Sequence, residues 1–302
     1  MVVGVSLVVF FVIRLGGDPT FLLLSADATE ADRARFAREQ GFDRPIYVQY
    51  AVFVKRALHG DLGRSLRYRQ PALPLVLERL PATMELAFAA LVVSLIVAIP
   101  AGVISAVRRD TVYDSLTMLG ALFGQSMPVF WLGIILIVLF SFILHWFPAE
   151  GPQGAYVTDD LNQLSSLVLP VATLSLVTIA SFSRYMRSST LENMVQDYTR
   201  TARAKGASNS RVLFVHVLRN AMIPILTLIG LSVGYVFSGA LITEALFNYP
   251  GIGYIFWNAT LTTDYPVILG VIVVTGFATV LGSLGADVMY AIADPRVRYR
   301  RA

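Results

Sequence analysis

Residues 187–224 read RSSTLENMVQDYTRTARAKGASNSRVLFVHVLRNAMIP. The stretch is polar and lies between strongly apolar segments, with seven basic residues from Arg184 to Arg219 opposed only by Glu192 and Asp197. Within it, Thr201, Ala202, Ala204 and Ala207 give one side of a helix a small, smooth surface. Gly206 permits a sharp reversal because it tolerates positive φ. Ser208 or Asn209 is placed to cap the next helix, Ser210–Arg219, which leads back into apolar sequence. The pattern predicts a short helix pinned between two turns, a rigid knob that transmits a partner's movement to the segments on either side.

Composition says what those flanking segments are. The 302 residues are 56% hydrophobic and 15% charged, with mean hydropathy +0.65. Soluble domains carry about 25% charged residues, so this is the composition of a chain that lives in lipid. Without cysteine there are neither disulfides nor thiolate metal sites. His59, His145 and His216 are too scattered for a metal cluster. No GxxxxGK[S/T] occurs to cradle nucleotide phosphates. Accordingly no catalytic, cofactor-binding or metal site is expected, and no nucleic-acid partner.

Five apolar segments, Ala82–Val107, Val112–Leu144, Leu167–Tyr185, Ala221–Ile242 and Val267–Ala291, reach the length that crosses a bilayer, about 20 residues. The second is too long for one straight span, and Gly120, Gly124 and Pro128 are expected to break or kink it. Met1–Ile13 is apolar but rises only about 20 Å as a helix. With no basic flank or small-residue cleavage site it is a poor signal peptide. It reads as a clipped first transmembrane helix whose true start lies upstream of Met1, making six spans. Residues 16–81 form a surface segment. Its parts are a short helix over Ala28–Gln40 with Thr29 as cap and Gly41 as stop, an amphipathic helix over Ile46–His59, and a turn at Gly60–Gly63. The expected organisation is therefore 1–15 first helix, 16–81 surface segment, 82–291 five-helix core including loop 187–220, and 292–302 tail.

Arginine placement orients the chain. Thirteen basic residues lie in the turn 108–111, the loop 184–220 and the tail after Ala293, whereas loops 145–166 and 243–266 carry none. Both termini and the 187–220 loop are expected in the cytoplasm, and residues 16–81 outside. Ionisable residues at the spans, Glu85, Asp114, Arg184, Glu244 and Asp287, cluster at span ends. An ion-coupled carrier needs buried carboxylates or histidines near mid-membrane, and an intramembrane protease needs a nucleophile–base pair or a metal motif. Neither pattern is present, so the chain reads as a subunit driven by a separate energy source. A passive channel or ion-driven carrier stands as the alternative, and an enzyme or receptor as a further one.

Seven further motifs fall in order along the chain. They are Gly17-Asp18-Pro19 with His59-Gly60-Asp61-Leu62-Gly63, Leu80-Pro81-Ala82-Thr83-Met84-Glu85-Leu86, Ser126-Met127-Pro128-Val129-Phe130-Trp131, Tyr249-Pro250-Gly251-Ile252-Gly253, Asp264-Tyr265-Pro266-Val267-Ile268 and Asp294-Pro295-Arg296. With DYTRTARAKGAS and VLRNAMIP they resemble the dipeptide/oligopeptide-type permeases of bacterial ABC importers, over nearly the whole chain. The resemblance implies an all-α membrane protein, a type I importer permease bundle in the bacterial inner membrane. It implies as partners a second permease subunit, two ABC ATPase subunits, and a periplasmic or lipid-anchored substrate-binding protein, besides membrane lipid. It also makes Asp197–Ala207 this chain's form of the EAA loop that packs into a cleft on the ATPase. Counting back from Gly206, Arg200 occupies the Glu position and Thr201-Ala202 the Ala pair, a departure common in the peptide branch. The ATPase-coupling residues implied are Tyr198, Thr199, Arg200, Thr201, Ala202, Ala204, Lys205, Gly206 and Ala207. Substrates implied are peptides, with glutathione-like compounds or nickel chelates as alternatives.

Elsewhere two readings compete. The basic loop is either a docking surface or positive charge resting on lipid headgroups. Tyr249–Gly253 is an ordinary Pro-Gly turn or a gate. Ser126, Met127 and Pro128 form a kink that lines the pathway or packs in the bundle, and Trp131 is expected to pack there. Ser175, Thr178, Ser232, Tyr235 and Ser238 line a translocation path or bond across helices. The pairs Gly120/Gly124 and Gly230/Gly234 are expected at close helix contacts.

Overall fold

A computed structural model describes residues 2–15, 29–41, 43–151 and 161–293. Gly17-Asp18-Pro19 and the arginine-rich tail from Asp294 lie outside these residues, as do the side chains of Tyr235, Ser238 and Asp287. Among the described residues every regular element is a helix, and a single bridge joins Arg64 to Pro71.

The first helix, α1, spans Val2–Leu15. Glu30–Gln40 follows as α2, bounded by the residues expected to bound it. Thr29 and Asp32 form a capping box, and Gly41 closes the helix at φ +74°. The Thr29 hydrogen bonds hold the Asp32 carboxyl below its ordinary range. Ile46–Leu58 is α3, whose Tyr50 meets the Ser6 hydroxyl of α1 at 3.0 Å and packs edge-on against Phe10.

Next comes α4, Ala72–Val107, about 54 Å long at 1.5 Å per residue. It begins ten residues before the expected start at Ala82, and carries Pro81 inside it. A proline forfeits a helical hydrogen bond, but here the preceding turns are anchored by packing. Ala72, Leu75 and Val76 are buried against Ile252, Ile255, Val267 and Val271. Tertiary burial extends the helix beyond the apolar run that placed its start at Ala82.

The long apolar segment breaks at one of the three expected places, Met127-Pro128, and not at Gly120 or Gly124. Val112–Ser126 (α5) and Val129–Leu136 (α6) meet at 107°. Proline drives the residue before it into extended backbone, and Met127 has φ −87°, ψ 132°. Gly120 and Gly124 stay helical. A Cβ on Gly124 would lie 3.1 Å from Ala180 Cβ, a close contact, but one on Gly120 would meet nothing within 4 Å, against expectation. Trp131 also differs: it is 55% exposed on α6 rather than packed in the bundle. After α6 the chain widens into a π-helical stretch, Ile137–Ile143.

Leu161–Met194 is α7, which lies along α4. Asp197–Ala204 is α8. The return helix opens as Asn209–Arg211, passes through π-helical Val212–Val217 and continues as Leu218–Leu246; together these are α9. Ile252–Leu261 (α10) and Tyr265–Ala293 (α11) complete the chain. Among the described residues, four helical stretches have the length and apolarity to cross a membrane: Ala72–Val107, Leu164–Met194, Asn209–Gly230 and Tyr265–Gly285. The bent α5–α6 pair is a fifth if counted as one span. At 14 residues α1 rises about 21 Å, short of the roughly 30 Å hydrocarbon core.

The α4–α7 contact is close because Gly102 has no side chain. A Cβ there would fall 2.6 Å from the Ser183 carbonyl oxygen and 2.7 Å from Met186 Cβ, in backbone that has nowhere to go. Gly102→Val is therefore expected to cost about 1–3 kcal/mol by overpacking, read as a lower melting temperature of the purified protein in detergent.

Candidate functional site

The polar stretch folds as a helix–turn unit at the end of the bundle remote from the start of α4. Three local devices hold it. First, Thr199, fully buried, donates its hydroxyl to the carbonyls of Met194 (3.0 Å) and Gln196 (2.6 Å), fastening the start of α8 to the end of α7. Tyr198 adds a bond from its hydroxyl to Asn193 Oδ1. Second, α8 ends in a Schellman motif. Gly206 at φ +82° donates to the Arg203 carbonyl (2.9 Å), and Ala207 to that of Ala202 (3.1 Å). Third, Ser208 caps α9, its hydroxyl accepting from the Arg211 amide at 3.4 Å.

A small apolar core closes the unit: Ala202, Val212 and Val217, with Met194, Ala207 and Leu213 against them. Beside it an open groove of about 580 Å³ is lined by Tyr198, Thr201, Ala202, Lys205, Gly206, Ala207, Arg211 and His216. Space does not demand glycine at position 206, since a Cβ there would meet nothing within 4 Å; its positive φ does. Arg200 and Asp197 pair at 3.8 Å in solvent, a contact worth little.

The expected smooth face is thus divided. Thr201 and Ala204 are exposed, but Ala202 is buried and Ala207 half-buried, because both are spent on anchoring the knob. Thr199 is likewise an internal fastener. Tyr198, Arg200, Thr201, Ala204, Lys205 and Gly206 remain open to a partner.

Of the residues expected along a pathway, Ser175, Thr178, Ser232, Ser126, Met127 and Pro128 lie in described parts of the structure. Ser175 is 1% exposed, and its hydroxyl donates to the carbonyls of Val171 (2.6 Å) and Ala90 (3.1 Å), so it joins α7 to α4. Thr178 and Ser232 donate to carbonyls in their own helices. Ser126 is exposed and bonds to the Leu122 carbonyl, Met127 is half-buried and Pro128 exposed at the bend. Among the described residues no group of three or more His, Asp or Glu is arranged to hold a metal.

Glu244, read as a span-end charge, and Asp264, read only as part of a motif, organise the opposite end. Glu244 is fully buried and caps α10, its Oε2 accepting from the Gly253 amide at 2.6 Å, while Thr83 Oγ1 accepts from the Ile252 amide at 2.9 Å. A Cβ on Gly251 would strike that carboxylate at 2.3 Å, and one on Gly253 the Leu241 backbone at 2.4 Å. Tyr249 is buried beside them, and burial pushes its phenol up. The Tyr249–Gly253 motif is therefore a packed helix start. Asp264 ties the 64–71 loop: Oδ2 accepts from the Ser65 hydroxyl and from the amides of Leu66 (3.1 Å) and Arg67 (3.3 Å).

The chain matches known proteins. The family model for the binding-protein-dependent transport system inner membrane component covers residues 98–299. The chain belongs to that family. As a member it is 36% identical to the oligopeptide transport system permease protein AppB of Bacillus subtilis (strain 168), over 99% of this chain and 96% of the relative. It is 38% identical to the di/tripeptide transport system permease protein DppB of Pseudomonas aeruginosa (strain UCBPP-PA14), over 99% and 95%. Its fold is similar to a chain of the inward-facing MetNI methionine ABC transporter (CY5 SeMet soak crystal form). That match has TM-score 0.60 and 15% identity, and covers 73% of this chain and 96% of the other.

Removing the Asp264 tie should free the 64–71 loop. In Asp264→Ala, trypsin is expected to cut after Arg64, Arg67 or Arg69 several-fold faster than in the parent, mapped by mass spectrometry; equal rates would mean the loop is held by other contacts.

Proposed function

We propose that this chain is the transmembrane permease subunit of an ATP-driven importer for peptides or related small solutes. In this reading it lines the translocation route beside a second permease subunit, is driven by two ATPase subunits, and receives solute from a substrate-binding protein. It adopts six spans, counting α1, with both termini in the cytoplasm and residues 16–81 on the outer side. Relatives named for oligopeptide and di/tripeptide transport, at 36–38% identity over nearly the full chain, support the solute class. The positive-inside distribution of arginine supports the orientation.

The observation that carries the coupling role is the construction of α8. An eight-residue helix has little stability of its own. This one is fastened to α7 by Thr199, reversed by a Schellman turn and capped into α9, so a push on it moves two long helices. Tyr198, Thr201, Lys205 and Arg211 around its open groove are the residues offered to the ATPase. ATP-driven closure of the ATPases would shift this knob and swing the bundle between inward- and outward-facing states. A channel or ion-driven carrier has no use for such a unit.

Gly206→Arg tests the assignment, because it forces a bulky residue into positive φ at the rim of the groove. In the purified complex, ATP hydrolysis stimulated by substrate-loaded binding protein is expected to fall about tenfold, equivalent to roughly 1.4 kcal/mol of lost coupling, or the complex to fail to assemble. Parental assembly and stimulation in this variant would refute the coupling role. Solute flux through the chain reconstituted without ATPases would favour the channel or carrier.

A further inference from the structure

Arg187 sits about two helical turns before Met194, whose carbonyl receives the Thr199 hydroxyl. It makes a two-pronged bond to Asp114: Nε donates to Oδ1 and Nη2 to Oδ2, each at 2.6 Å. The two side chains are 23% and 6% exposed. The same carboxylate accepts from the Ser105 hydroxyl at the end of α4 and from the Asp110 amide in the turn, the latter at 3.1 Å. One aspartate therefore gathers α4, the α4–α5 turn, the start of α5 and α7. On the other side of α7, Ser189 donates to the Ala221 carbonyl of α9 at 3.0 Å.

Apolar packing does not explain how the start of α5 is held. Only Asp114 and Ala121 are buried along this helix, and Leu116, Leu119 and Leu122 point outward. The carboxylate is the anchor. A buried ion pair also brings little net stability, because desolvation of the two charges offsets their attraction. What a bidentate fork supplies is a fixed distance and angle. Arg187 does not line the groove, and its guanidinium is held by Asp114.

We propose that the Asp114–Arg187 pair is a positioning link that makes the α4–α5 turn and the start of α5 move with the coupling helix as one body. The 107° bend at Met127-Pro128 is then where that body meets α6. This rests on α8 being the coupling helix, and it adds that the pair, rather than α8 alone, delivers the movement to the bent span.

The test uses the purified complex with its binding protein and trialanine as substrate. Replacing both partners, Asp114→Asn with Arg187→Met, leaves no unpaired buried charge. The expected result is normal assembly and basal ATP hydrolysis with stimulation by binding protein reduced at least fivefold, the low end of usual coupling effects. Undiminished stimulation would overturn the proposal. A second variant, Asp114→Cys with Arg187→Cys, uses the absence of native cysteine in this chain. Bridged in membranes by a short bis-methanethiosulfonate, it should regain stimulation and lose it again on reduction. A bridged complex that stays unstimulated, or does not assemble, would equally overturn the link. Gly206→Arg separates the two ideas. Loss of stimulation there, with full stimulation in both pair variants, removes the link and keeps the coupling helix. Retention there removes the coupling helix itself.

Discussion

Everything else in this bundle depends on how closely α4 and α7 lie together. Gly102 brings the two backbones into contact at Ser183 and Met186. Further along the pair, the Ala90 carbonyl accepts hydroxyls from Ser94 and Ser175, one from each helix. In lipid no hydrophobic force draws helices together, so close packing of small residues and shared hydrogen bonds must do it. Once that pair is set, the other helices have fixed surfaces to pack on: α10 and α11 on the start of α4, and α9 on the end of α7.

The two ends of the pair are finished by polar chemistry of different kinds. At one end Glu244, Thr83 and Asp264 satisfy backbone amides of short helices and loops. That is what irregular backbone requires where water is scarce. At the other end Asp114, Arg187, Ser189 and Thr199 tie helices to one another and to α8. The first set caps helix starts and a loop; the second joins helices side by side.

Much of this was legible because its signals are local. Thr29 and Gly41 bound a helix by side-chain capping and positive φ, and Met127-Pro128 breaks one because the proline ring disfavours helix at the residue before it. Gly206 and Ser208 mark the turn after α8 for the same kinds of reason. Other features were misread or missed because they depend on what lies across the bundle. The helix looks as if it starts with the apolar run at Ala82 until Val76 is seen buried in one cluster with Ile252 and Val271. Of the two readings open for Ser175, the hydroxyl bond to α4 realises the cross-helix one. Asp114 looks like a span-end charge, although an acid just after Arg108-Arg109, with Arg187 opening the polar stretch, was a trace of the pair.

By itself the sequence determined that this chain is a helical membrane protein with a basic, capped knob between two spans. Those features follow from segment length, charge placement and turn chemistry, which act over a few residues. Only the tertiary structure decided which face of the knob is free, which polar side chains are fasteners and which carboxylates join helices far apart in the chain. Those outcomes turn on burial. Whether a hydroxyl or a carboxylate is spent internally or left for a partner depends on the backbone that packing brings beside it.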